Sequence, residues 1–161
     1  MSFPNTGKHT IQGDIDSDVH RFNCYAVYNS GASCMAIPTA EYKREDGEKV
    51  FYITPVSGDS PNIYLMKVDG TNEWLAKETG SEDLVFVVSD SEPSDSKFQF
   101  VLTEDGTEGE IQLYTLSPAN NTSNFVTILG PKQDDGYPVK SKPAGKGKTQ
   151  KWKFVPVLTN D

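Results

Sequence analysis

Bulky apolar residues in this chain recur at alternate positions over short stretches bounded by turn formers. Three stretches share one form: Val50-Phe51-Tyr52-Ile53-Thr54-Pro55-Val56, Lys97-Phe98-Gln99-Phe100-Val101-Leu102 and Lys151-Trp152-Lys153-Phe154-Val155-Pro156-Val157. In each, an aromatic residue is followed by a spacer, then Ile or Phe, then a short apolar tail. Alternation sets Phe51 with Ile53, Phe98 with Phe100, and Trp152 with Phe154 on one strand face, as a half-buried strand requires. The markers divide the chain into thirds, approximately 1–56, 57–103 and 104–161, within a single domain. They predict that all six side chains line one barrel core around an approximate threefold axis.

Each third offers three further strands before its marker. The first third predicts strands at Lys8–Gln12, Asn23–Tyr28 and Cys34–Thr39, and the second at Asn62–Val68, Glu73–Thr79 and Asp83–Ser89. The last predicts them at Glu110–Leu116, Asn124–Leu129 and Tyr137–Lys142, for twelve strands in three sets of four. Asp46-Gly47, Asp69-Gly70, Asp105-Gly106 and Asp135-Gly136 suit tight hairpin turns, because both residue types tolerate positive φ. The expected fold class is all-β.

Composition supports that reading. The chain has 161 residues, 35% of them hydrophobic, enough to fill one core. Thirteen glycines and ten prolines interrupt any long helical stretch. The longest apolar run, Leu84 to Val88, is far short of the roughly 20 residues that span a bilayer, and Met1-Ser2-Phe3-Pro4 resembles no targeting segment. A cytoplasmic address is therefore the expectation. A net charge of −8 argues against nucleic acid and anionic membranes as partners. The charge is uneven: Lys140, Lys142, Lys146, Lys148, Lys151 and Lys153 crowd the last quarter, whereas Asp83 to Glu110 carries eight acids. A solvated, aggregation-resistant edge is the expected role of those lysines.

Catalytic chemistry finds little support. His9 and His20 have no Ser, Cys or Glu at a catalytic spacing, and Cys24 and Cys34 lack the spacing of a zinc site, so no catalytic residue, metal or cofactor is expected. The cysteines lie symmetrically about Asn29 in one predicted hairpin, where a symmetric register would set them opposite each other. That geometry permits a disulfide, while a reducing cytosol would keep both thiols free. Asn120-Asn121-Thr122 and Asn121-Thr122-Ser123 are overlapping glycosylation acceptors, which point to an exposed loop.

Three sets of four strands, each closed by the aromatic marker and ending in Gln150-Lys151-Trp152-Lys153-Phe154, resemble a β-trefoil. The ending is similar to those of small fungal trefoils, among them the mycocypin protease inhibitors and the ricin-B-like lectins. The mycocypin resemblance implies a monomeric, non-enzymatic protein that inhibits proteases through loops. In that family the loop between the fifth and sixth strands presents an Asn to asparaginyl endopeptidases; here it is Asp69-Gly70-Thr71-Asn72-Glu73, with Asn72 at its tip. Loops in the first repeat block papain-like enzymes, and the matching segments are Gly13 to Phe22 and Tyr42 to Glu48. For trypsin-like enzymes the candidate basic residues are Arg21, Lys146 and Lys148. The alternatives are a carbohydrate-binding lectin, suggested by Gln150-x-Trp152, and a cytosolic interaction or storage protein. Against the lectin, Cys24-Tyr25-Ala26-Val27, Trp74-Leu75-Ala76-Lys77 and Phe125-Val126-Thr127-Ile128 all lack the Asp that holds sugar in ricin-type repeats.

Overall fold

The structure is a computed structural model describing residues 3–15, 18–27, 31–38, 50–57, 60–129, 137–145 and 150–157. For 14–15, 18–27, 31–38, 57, 60–61 and 137–138 it describes the backbone alone. Among these residues the strands are β1 (Gly7–Ile15), β2 (Asp18–Val27), β3 (Gly31–Pro38), β4 (Phe51–Ser57), β5 (Ser60–Val68), β6 (Glu73–Lys77), β7 (Leu84–Val88), β8 (Phe100–Glu108), β9 (Ile111–Pro118), β10 (Asn124–Ile128), β11 (Tyr137–Pro143) and β12 (Trp152–Pro156). A 3₁₀ turn, Ser96–Phe98, precedes β8.

Six strands close on themselves. Antiparallel pairing runs from β1 to β4, β5, β8, β9, β12 and back to β1, so this barrel has no free edge. The other six strands form a cap: β3 pairs with both β7 and β11, and the bridge between Asp83 and Lys140 joins the β7 and β11 sides. A closed six-stranded barrel capped by three hairpins is a β-trefoil.

The registers define the threefold relation. Phe51, Phe100 and Trp152 face Val68, Pro118 and Gly13 across one seam, and His9, Tyr64 and Tyr114 across the other. One step further along, Ile53, Leu102 and Phe154 face Met66, Leu116 and Ile11. All of these except Gly13 and Pro118 belong to the buried residues of one hydrophobic cluster or, for His9, are buried beside it; Val126, Ile128 and Val139 of the cap join that cluster.

The barrel position of the second third is therefore Phe100, two residues beyond the expected Phe98. Phe98 is buried instead in a separate cluster with Leu65, Trp74 and Ala76. It lies outside the strand because Asp95 caps the 3₁₀ turn, its carboxylate accepting from Lys97 N, and the chain extends only at Gln99. Asp105-Gly106 also departs from expectation. It forms a bulge within β8, with Gly106 at φ +83°, and the β8–β9 reversal falls at Gly109, φ +63°.

The end of the barrel away from the hairpins is covered by the N-terminal segment. Phe3 packs on the Tyr114 ring at 5.9 Å, and the Tyr64 hydroxyl donates to Pro4 O at 2.6 Å. At the hairpin end, the indole N–H of Trp152 donates to Val126 O at 3.0 Å, and Phe51 stacks on Phe86 of β7.

Candidate functional site

Four residues, 69 to 72, join β5 to β6. Gly70 turns the chain at φ +77°, a conformation that costs a β-carbon-bearing residue free energy. Thr71 then binds back to the strand it has left: its N–H donates to Val68 O at 3.1 Å and its hydroxyl to the same oxygen at 2.8 Å. The hydroxyl oxygen also accepts from Glu73 N at 3.0 Å. The Asn72 carbonyl accepts from Ser89 N at 2.9 Å, and the Trp74 indole fastens the same neighbour by donating to Ser89 O at 3.2 Å. Asn72 itself is exposed, so a braced backbone carries an outward carboxamide.

The other candidates are arranged differently. Residues Gly13 to Phe22 were expected as an extended loop, but the hairpin pairing continues through Gln12↔Arg21, Gly13↔His20, Asp14↔Val19 and Ile15↔Asp18. Arg21 is thus a strand residue, opposite Gln12 on one side and Ile37 on the other. Lys146 and Lys148, like the Tyr42–Glu48 segment, lie outside the described residues. Cys24 and Cys34 are direct register partners in β2–β3, and their side chains fall outside the described ones.

Gln150 and Trp152 face inward. The Gln150 carboxamide donates to Thr127 Oγ1 at 3.0 Å and Pro143 O at 2.8 Å, and both side chains are buried. The pair holds the third repeat together, which removes it as an exposed sugar platform. Asn120 is half-buried and donates to Lys77 O at 2.9 Å, leaving Thr122 and Ser123 as the exposed part of the acceptor loop.

Three of the C-terminal lysines form specific pairs with acids of the acidic stretch or the residue just before it. Lys140 meets Asp83 at 3.0 Å, Lys142 meets Glu82 at 2.6 Å, and Lys153 meets Glu108 at 3.0 Å. The two solvent-facing pairs, Lys140 with Asp83 and Lys142 with Glu82, contribute at most about 1 kcal/mol each, so they orient neighbouring repeats more than they stabilise them.

His9 is buried, with Nδ1 3.1 Å from Gly7 O, and burial lowers its pKa against the smaller raising effect of that hydrogen bond. Burial also raises the pKa values of Tyr64 and Tyr114, and for Tyr114 the Glu104 charge adds to the effect. His9 therefore belongs to a packing layer. Among the described residues no group of three His, Cys, Asp or Glu is placed to hold a metal ion, and no helix is long and apolar enough to cross a membrane.

One arrangement was missed in the sequence. Lys67 of β5 lies between the rings of Tyr52 and Trp74, 5.7 and 5.4 Å from their centroids, on three adjacent strands. Only the register brings these residues together; the outward phase of Tyr52, one residue after inward Phe51, was the available sign. These cation–π contacts link β4, β5 and β6, the last two of which carry the Asn72 loop.

No family model matches the chain, and no curated protein matches its sequence. Among solved structures, a mosquitocidal holotoxin shares 10% identity at a TM-score of 0.73, the likeness covering 98% of this chain and 18% of the toxin chain. The designed threefold-symmetric protein ThreeFoil shares 14% identity at a TM-score of 0.70, over 94% of this chain and 99% of that one. The BEL β-trefoil shares 11% identity at 0.68, over 98% and 97%. At such identities the likeness shows the β-trefoil fold alone.

Proposed function

We propose that this trefoil is a non-enzymatic binding protein that inhibits a protease through its β5–β6 loop, with Asn72 entering the specificity pocket of an asparaginyl endopeptidase. The observation that carries this reading is the contrast within the loop: Thr71 and the Asn72 backbone are tied down while the Asn72 side chain is exposed. A loop ordered before binding loses little entropy on docking, and that favours both affinity and resistance to being processed as a flexible substrate. The non-enzymatic half is supported by His9, which is buried and turned to its own backbone.

A pocket specific for Asn must hydrogen-bond both ends of a carboxamide. An alanine would leave those groups unpaired at about 1 to 3 kcal/mol each, or roughly tenfold to a hundredfold in affinity. Inhibition kinetics against legumain provide the test. Wild type is expected to inhibit at micromolar concentration or below and Asn72→Ala to lose at least tenfold, with stability changed by no more than about 0.5 kcal/mol. Absence of inhibition by wild type, or equal inhibition by the variant, would refute the proposal.

A further inference from the structure

A cavity of about 240 Å³ lies in the barrel wall beside the third repeat, lined by Gln12, Gly13, Thr107, Glu108, Leu113, Lys151 and Lys153. A departure from regular pairing shapes it: the bulge between Glu104 and Thr107 re-aims the far end of the β8–β9 hairpin so that Glu108 meets Lys153 of β12. At the equivalent seam Tyr52 stands in the place of Lys153, and the Lys67 ammonium lies over its ring and over that of Trp74.

The chemistry of the wall restricts the ligand. Lys153 pairs with Glu108 at 3.0 Å and Lys151 with Asp105 at 3.8 Å, so the charges balance and neither a phosphate nor a cation finds an excess of opposite charge. The Lys153 side chain is only 10% exposed and uses one N–H on Glu108, while the half-exposed Glu108 carboxylate keeps acceptor capacity. Gln12 donates its N–H to Thr10 Oγ1, which leaves its carbonyl oxygen as an acceptor, and Thr107 contributes an exposed hydroxyl. Leu113 and Gly13 add apolar surface. The volume falls below the roughly 300 Å³ at which sites for drug-sized ligands begin.

From this combination of size, charge balance, mixed donors and acceptors, and one apolar wall, we infer that the cavity is a binding site for a single neutral polyhydroxylated ring, a pyranose. Its hydroxyls would meet the Lys153–Glu108 pair, Thr107 and Gln12, and its C–H face would lie toward Leu113. The site is separate from the Asn72 loop, and neither depends on the other.

Titration of the isotope-labelled full chain with methyl glycosides of glucose, galactose, mannose and N-acetylglucosamine, one at a time and followed by amide chemical shifts, tests the inference. At least one glycoside should give saturable shifts centred on Gln12, Thr107, Glu108, Leu113 and Lys153. Glu108→Gln, and independently Thr107→Val, should weaken that binding at least about tenfold with an otherwise unchanged spectrum, and Asn72→Ala should leave it unaffected. No saturable shift with any of the four, shifts centred elsewhere, undiminished binding by both variants, or stronger binding of inorganic phosphate to the same amides would overturn it.

Discussion

The seam between β12 and β1 and the seam between β4 and β5 are threefold equivalents, yet they fill the same space differently. In β4–β5, Phe51 faces Val68; in β12–β1, the larger Trp152 faces Gly13, where a β-carbon would stand 2.9 Å from the indole ring. The larger ring is accommodated because its partner has lost its side chain. On the outer face, Lys67 lies over the rings of Tyr52 and Trp74, whereas Lys153 and Gln12 border a cavity. The symmetry is thus kept inside the barrel, where close packing penalises any change of volume, and given up outside, where solvent tolerates it.

The strongest way to break this comparison is to remove the large ring. Trp152→Ala should cost about 3 to 5 kcal/mol by chemical denaturation, from lost burial, a cavity, and a Val126 carbonyl left without its indole donor. A loss under about 1 kcal/mol would show that Trp152 is not a core element of the third repeat.

A finer test reverses the exchange. Gly13→Ala should destabilise the protein by about 1 to 3 kcal/mol, since the new methyl meets a buried ring and the Lys151 backbone. Adding Trp152→Phe, which recreates the chemistry of Phe51 opposite a side chain, should recover part of that loss as a favourable coupling of about 0.5 kcal/mol or more in a double-mutant cycle. Strict additivity would mean that the two positions do not share one volume.

The smallest effect concerns the layer formed by His9, Tyr64 and Tyr114. Burial depresses the His9 pKa, so the folded state favours the neutral ring and the unfolded chain takes up the proton more readily. Stability should therefore be full above about pH 6.5 and fall as the pH drops below it. His9→Tyr, which copies its two equivalents, should flatten the stability–pH curve in that window. An identical slope in wild type and variant would assign the acid sensitivity to other groups.

Much of the architecture was legible because strand alternation and turn chemistry are local. The β6 strand was expected at Glu73–Thr79 and found at Glu73–Lys77, and β10 was expected at Asn124–Leu129 and found at Asn124–Ile128. The β5–β6 loop and its Asn72 were legible for the same reason. Where two local patterns competed, sequence reasoning chose wrongly. Phe98-x-Phe100 offers an aromatic at both candidate positions, and only the capped 3₁₀ turn and the pairing of Phe100 with Tyr64 decide between them. An Asp-Gly pair serves a hairpin turn or a bulge equally well, and at Asp105-Gly106 the continuing register on both sides makes it a bulge.

By itself, then, the sequence determined a strand-built chain with threefold character and an exposed Asn in a tight connection, because periodicity and turn preferences act over a few residues. The tertiary structure alone decided that Gly13 makes room for Trp152, that Lys67 lies between Tyr52 and Trp74, and that Glu108 meets Lys153 across a wall cavity. These pairings depend on register and barrel closure, and no spacing along the chain encodes which distant strand will become a neighbour.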